Sequence, residues 1–253
     1  FSKLIIQDGK NLVENKMTDS HWFIECMERG ARLVTIAPEY SPPATKSDYW
    51  IPVRPQTDAA LFLGITRLLI DKKQYDENFV LQFTDFPLLV RTDNLKRLRA
   101  HEIFPGYQFG LSPDGPSFKY QGLKKEQYEK LGDFVIWDKA KNQPAAVTRD
   151  DVGAQLVQKG LQPALEGSFR VATVDGKEIE VMTLFSLYKL HLKDYDLDSV
   201  VEITHAPKDL IVQLADDIAT IKPAALHQGE GINHWFHATQ MNRAAYLPFM
   251  LTG

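Results

Sequence analysis

The sequence is poor in residues that several common chemistries require. Its 253 residues include a single cysteine, Cys26. It can close no internal disulfide, and no four-thiolate zinc or iron–sulfur site can be built from this chain. Long apolar runs are missing too: none approaches the roughly 20 residues that span a bilayer, and no basic segment with an apolar core opens the chain. Dense Lys/Arg blocks are absent and the formal net charge is −4, which leaves no electrostatic footprint for nucleic acid or an anionic lipid surface. The spacing Gly-x-Gly-x-x-Gly does not follow the first predicted strand, where only Gly9 stands, so an ordinary nicotinamide-dependent dehydrogenase is disfavoured. No Ser-His-Asp or Cys-His constellation can be argued from sequence order, and Cys26 falls inside a predicted helix as inert core.

What is present is a chain long enough to bury a sizeable core, as one large α/β domain or two smaller ones. Leu4 to Gln7 predict a buried strand, with Asp8-Gly9-Lys10-Asn11 as its turn. Thr18 can cap a helix to about Arg29, and Gly30 suits the left-handed position that ends it. Arg32 to Ala37 is the next strand, completing a β-α-β unit. A third strand around Tyr49 to Val53 leads through a proline-bounded turn into an amphipathic helix from Asp58 to about Lys72, with Leu61, Ile65, Leu68 and Leu69 at helical spacing. Asp76 caps a further helix through Phe83, and Phe86 to Val90 reads as extended.

Between about 100 and 163 the periodicity fades, apart from small strands near Phe134 to Trp137. Downstream, Phe169 to Val174 and Lys177 to Met182 predict a hairpin around Asp175-Gly176, a favoured two-residue turn. Pro207 opens a longer helix, Ala224 to His227 is a short strand, and a closing helix runs to about Leu251. Strand-turn-helix units at both ends predict α/β architecture in three parts: a lobe over 1–99, a loop-rich insertion over 100–168 and a second lobe segment over 169–253. The chain starts at Phe1 and stops at Leu251-Thr252-Gly253, and the expectation is an internal piece of a longer polypeptide.

Ligands of an open parallel sheet lie outside the carboxyl ends of its strands. Gly9, Asn11, Glu39, Thr57 and Asp58 occupy that edge. Helix N-termini there favour phosphate, and glycine lets the backbone approach it. A carboxylate does the opposite: it repels phosphate but accepts the N1–H and N2–H donors of guanine, or a pair of ribose hydroxyls. Asp58 therefore suits a guanine nucleotide, yet Thr-Asp at a helix start is equally ordinary capping chemistry, contributing about 1 kcal/mol without any ligand. The turn alone does not choose. His227, His234 and His237 beside Glu230 invite a metal reading, but Gly229 and Gly231 break the helix such a ligand face needs, and no metal ligand is assigned. Asn233 and His234 remain as hydrogen-bond donors able to meet a small oxyanion, or as turn residues.

Beyond these readings, the chain resembles the catalytic α subunits of the molybdopterin-guanine-dinucleotide oxidoreductases, in the branch holding nitrite oxidoreductase and respiratory nitrate reductase. The resemblance is carried by Asp8-Gly9-Lys10-Asn11, by Val34 to Tyr40, by Arg54-Pro55-Gln56-Thr57-Asp58-Ala59-Ala60-Leu61, by Phe83 to Arg91, and by Gly229-Glu230-Gly231-Ile232-Asn233-His234-Trp235. The run from Phe83 through Leu95 looks most like nitrite oxidoreductases. Gln56 stands where the family pattern has glycine, and Pro38-Glu39 where it has Asp-Pro.

The resemblance implies Rossmann-like parallel-sheet lobes whose strand-end turns hold one dinucleotide of a bis-molybdopterin guanine dinucleotide with molybdenum. Gly9, Asn11, Glu39, Thr57, Asp58, Gly229 and Gly231 would bind that cofactor, Asp58 on guanine, with Asn233 and His234 as substrate-side donors. It implies oxidation of nitrite to nitrate, with respiratory nitrate reduction as the close alternative and perchlorate reduction behind it. The molybdenum-ligating Asp and the cysteines of an iron–sulfur cluster would lie upstream of Phe1. The implied partners are an iron–sulfur β subunit and a haem or membrane-anchoring γ subunit, placing the protein on a membrane, on the periplasmic or alternatively the cytoplasmic side. The rival from another class is a non-catalytic nucleotide-binding α/β module, and a third is a plain structural domain whose acids cap helices.

Overall fold

The structure, a computed structural model, describes residues 1–107, 133–149 and 151–253. They divide into two compact units, one of Phe1–Asp76 with Leu192–Gly253 and one of Glu77–His191. Much of the predicted insertion, residues 108–132, lies outside the described residues.

The first unit is built on four parallel strands: β1 (Leu4–Asp8), β2 (Arg32–Ile36), β3 (Tyr49–Ile51) and β9 (Ala224–Gln228), in the order β3-β2-β1-β9. Leu4 to Asp8 pair with Arg32 to Ile36 on one side and with Ala224 to Gln228 on the other. Every residue of β1 is buried, the pattern of a strand covered on both faces. Side chains alternate across it. Ile5 and Leu33 meet Leu12 and Phe23 from helices α1 (Leu12–Asn15) and α2 (Met17–Glu28), while Leu4, Ile6, Val34 and Ile36 are fully buried on the opposite face.

Helix α3 (Asp58–Asp71) is apolar around most of its circumference, with Leu61, Phe62, Ile65 and Leu69 fully buried. It is accordingly a central helix, packed by those at Leu197–Thr204, Lys208–Thr220 and Ala238–Thr252. At Gly64 an added Cβ would lie 2.6 Å from Val200, which explains a glycine in mid-helix. At the other end of the sheet Asp217 accepts hydrogen bonds from Arg32 Nη1 at 2.5 Å and Tyr49 Oη at 2.8 Å, tying the helix Lys208–Thr220 to β2 and β3.

The second unit holds an antiparallel sheet of β4 (Leu89–Arg91), β7 (Ser168–Ala172) and β8 (Glu178–Thr183), in the order β4-β8-β7, and a two-stranded ladder of β5 (Phe134–Asp138) and β6 (Gln143–Val147). Leu89, Leu98, Val135, Val171 and Val181 share one buried cluster, and Trp137 stacks on Phe169 with ring centroids 4.1 Å apart.

Three expectations change. The segment 169–253 does not form a second lobe: the hairpin belongs to Glu77–His191, and β9 returns to the first sheet beside β1. Parallel pairing of distant segments leaves no local signal. The hairpin turn is wider than two residues, because β7 and β8 end at the pair Ala172 and Glu178 and Thr173 N–H bonds back to Lys177 O at 2.8 Å across the loop. Helix α2 starts at Met17, one residue before the predicted cap Thr18.

The burial pattern yields a contrast. Ile65→Ala should cost about 2–5 kcal/mol of stability as a cavity in a fully packed helix, whereas breaking the exposed Arg67–Asp71 pair by Asp71→Ala should stay within about 0.5 kcal/mol. Denaturant midpoints of the two variants compare them directly.

Candidate functional site

The chain leaves β1 toward β2 on one side and returns as β9 on the other. Connections diverge between β1 and β9, the switch point at which open α/β sheets bind ligands beyond the strand ends. A cavity of about 350 Å³ opens there, within the ordinary range for ligand pockets of about 300–1,000 Å³. All four strands contribute turns to its wall: Gly9 to Asn11 after β1, Ala37 to Glu39 and Ser41 after β2, Val53, Pro55, Gln56 and Asp58 after β3, and Gly231 and Trp235 after β9.

Of the predicted site residues, Gly9, Asn11, Glu39, Asp58 and Gly231 meet in this wall. Thr57 is the residue before α3, but its hydroxyl turns back to donate to Arg54 O at 2.6 Å and caps no helical N–H. Gly229 lies just behind the wall, its N–H donating to Asp8 O at 3.0 Å. Asn233 and His234 are exposed and are not part of the wall. Asn233 Oδ1 accepts from Asn242 at 3.0 Å, and His234 Nε2 lies 3.1 Å from Glu230 Oε2.

The glycines lock two turns together. Gly9 adopts φ +57, and a Cβ on it would sit 2.7 Å from Ile232 Cγ1. Gly231 donates its N–H to Gly9 O at 2.9 Å, and a Cβ there would lie 2.6 Å from that same oxygen. Backbone touches backbone, so any side chain would drive the turns apart.

Sequence reasoning missed the deepest residue. Asp8, the last of β1, is fully buried and Asp58 is only 6% exposed, and their carboxyl groups lie within hydrogen-bonding reach. Gln228 Nε2 donates to Asp8 Oδ2 at 3.4 Å. Burial, then the negative charge of Asp58, holds the Asp8 carboxyl well above the usual carboxylate range. Burial likewise raises Asp58. Among the described residues no Lys or Arg figures among the charges acting on either acid, a setting that disfavours ionisation of both. In the sequence Asp8 reads as the first residue of the turn Asp8-Gly9-Lys10-Asn11, whereas it is the last residue of β1.

Two buried oxygens of the cavity wall have no hydrogen-bond partner among the described residues: Asn11 Oδ1 and Ser41 Oγ. Ser41 is 5% exposed and lines the cavity. Buried polar atoms are nearly always satisfied, and two such oxygens in one cavity wall fit a ligand that brings donors. The wall carries a strained position as well: Gln56 adopts φ 73, a conformation that disfavours side chains with a Cβ. Trp235, anchored by Nε1–H to Gly231 O at 2.8 Å, completes the rim.

Fold and cavity together define an α/β protein with a crevice at the carboxyl edge of its parallel sheet. Comparison with known proteins narrows the class. The family model described as Molybdopterin oxidoreductase matches residues 2–253, and the chain belongs to the molybdopterin oxidoreductase family. It is 31% identical to "Perchlorate reductase subunit alpha" of Dechloromonas aromatica (strain RCB), over 100% of this chain and 27% of that protein. It is 30% identical to "Respiratory nitrate reductase subunit alpha" of Haloferax mediterranei, over 98% of this chain and 24% of that protein. The chain thus spans about a quarter of the length of these relatives. Among solved structures, acetylene hydratase from Pelobacter acetylenicus shares the fold with a TM-score of 0.56 at 19% identity, covering 100% of this chain and 21% of that one.

Two substitutions should move stability in opposite directions. Gly231→Ala forces a contact on Gly9 O and should destabilise by about 1–3 kcal/mol, whereas Gln56→Gly relieves a left-handed residue and should stabilise by about 1 kcal/mol. Urea midpoints read both.

Proposed function

We propose that this chain is the part of a molybdenum oxidoreductase α subunit that grips the guanine end of a pterin dinucleotide. The observation carrying the proposal is the acid pair Asp8 and Asp58 beside a cavity whose wall holds two buried oxygens, of Asn11 and Ser41, without a partner among the described residues. A guanine edge supplies N1–H and N2–H donors, the complement of acceptor-only groups. Asp58 would take that edge, with Asn11 and Ser41 offering further acceptors. Gly9 and Gly231 let the backbone come close to the dinucleotide, Lys10 places positive charge in the same wall, and Glu39 faces the ribose hydroxyls. When bound, the cofactor supplies two-electron redox chemistry at molybdenum. The residues of this chain fix its position and exclude water from its tail.

For the whole subunit, the proposed reaction moves one oxygen atom between water and a small oxyanion. Nitrite and water give nitrate, two protons and two electrons; run backwards, nitrate is reduced. Perchlorate reduction is the same class of step. The similarity to perchlorate and nitrate reductase α subunits supports the reductive direction as well as the resemblance supports nitrite oxidation. The proposal extends to electron partners, an iron–sulfur β subunit and a haem or membrane-anchoring γ subunit, with the complex held at a membrane through them on its periplasmic side. Asn233 and His234 are proposed as substrate-side donors.

In the full-length protein, Asp58→Ala should lower the guanine nucleotide released on hydrolysis by at least about tenfold, the loss of a charged hydrogen-bond acceptor. Undiminished loading would remove the guanine site. Nitrite turnover by cofactor-replete Asn233→Ala and His234→Ala variants tests the donors, a fall in kcat/KM being expected and unchanged kinetics leaving them as surface turn residues.

A further inference from the structure

The acid pair is more specific than a single acceptor at a helix mouth. Asp8 is fully buried at the end of β1 and is not among the residues that line the cavity, whereas Asp58 is. Asp8 thus stands behind Asp58. Gln228, at the end of β9, donates an N–H to Asp8 Oδ2 at 3.4 Å. The order Gln228, Asp8, Asp58 runs from the edge strand through the central strand to the start of α3, and only its last member reaches ligand space. Ser41 Oγ, buried and without a partner among the described residues, lines the same cavity and independently marks it as a place for a ligand that brings hydrogen-bond donors.

Two buried carboxyl groups within hydrogen-bonding reach cannot both be ionised without a cation between them. The other charged groups of the wall are Lys10 on the turn after β1 and Glu39 after β2, and neither figures among the influences on the pair. From β9 comes only the neutral Gln228, and α3 contributes only Asp58.

We propose that Asp8 is a positioning residue: it keeps a proton, donates it in a hydrogen bond to Asp58, and so presents Asp58 to the purine as an oriented acceptor in a unit that carries a single negative charge. This rests on the reading of the cavity as the guanine end of the site. The logic is electrostatic. A doubly charged pair would be too costly to bury for one base edge to compensate, and a neutral pair would lose the charge-assisted bond that distinguishes guanine from a base lacking donors there. Asp8 sets the protonation state, and Asp58 does the binding.

The test uses the full-length loaded protein with Asp8→Asn, Asp8→Val and Asp58→Ala, reading guanine nucleotide released per subunit after incubation from mildly acidic to alkaline pH. Asparagine donates a hydrogen bond without needing a proton. Asp8→Asn should hold loading within about twofold of wild type at neutral pH, and Asp8→Val should lose about tenfold, the cost of one hydrogen bond to a charged group. The wild type should shed nucleotide as rising pH removes the shared proton, and Asp8→Asn should lack that alkaline loss. Asp8→Asn as depleted as Asp8→Val at every pH, with Asp58→Ala also depleted, would overturn the role of Asp8 while leaving the guanine site standing. Full loading of Asp58→Ala would overturn both.

Discussion

The alignment of β9 beside β1 is the constraint on which the site depends. It joins the start of the chain to a segment near its end, register by register from Leu4 and Ala224 to Asp8 and Gln228. Its geometric consequence is a pair of turns leaving the same sheet edge, close enough that Gly231 bonds to Gly9. The crevice outside a parallel sheet requires such divergence. Without β9 the cavity would lose Gly231 and Trp235 from its wall, and Asp8 would lose its Gln228 partner.

What occupies the centre of that edge works against stability. A parallel strand buried on both faces should end in apolar residues, yet β1 ends in Gln7 and Asp8, and Asp8 lies against a second acid. Burying a carboxyl group raises its pKa because the charged form loses hydration. The folded state then binds more protons than the unfolded chain between the ordinary carboxylate value and the raised one, so stability contributed here is greatest at low pH and falls as pH rises through that window. Conflicts between local rules and fold concentrate at functional sites. The left-handed Gln56 in the same wall is a second such conflict.

Much of the first unit was legible. Short apolar runs placed β1, β2 and β9 within a residue or so, and helical spacing placed α3, because each signal sits inside a few consecutive residues. The partition into units was not legible, since parallel pairing of β1 with β9 depends on segments more than two hundred residues apart. The site divided the same way. Turn residues with a local signature, Gly9, Asn11, Glu39, Asp58 and Gly231, came together in the cavity wall. Asp8 and Gln228 were passed over because each looks like an ordinary strand-end residue until the sheet sets them side by side. Asn233 and His234 drew notice from side-chain chemistry, and the fold leaves them exposed beside the cavity wall.

The measurement bearing most directly on this account is a density map of the full-length, cofactor-loaded protein that resolves the dinucleotide tails. The account predicts a guanine whose N1 and N2 edge faces Asp58, with Asp8 behind it and Ser41 within hydrogen-bonding distance of the same ligand. A map placing both guanines away from this cavity, with water on Asp58 and Ser41, would contradict it.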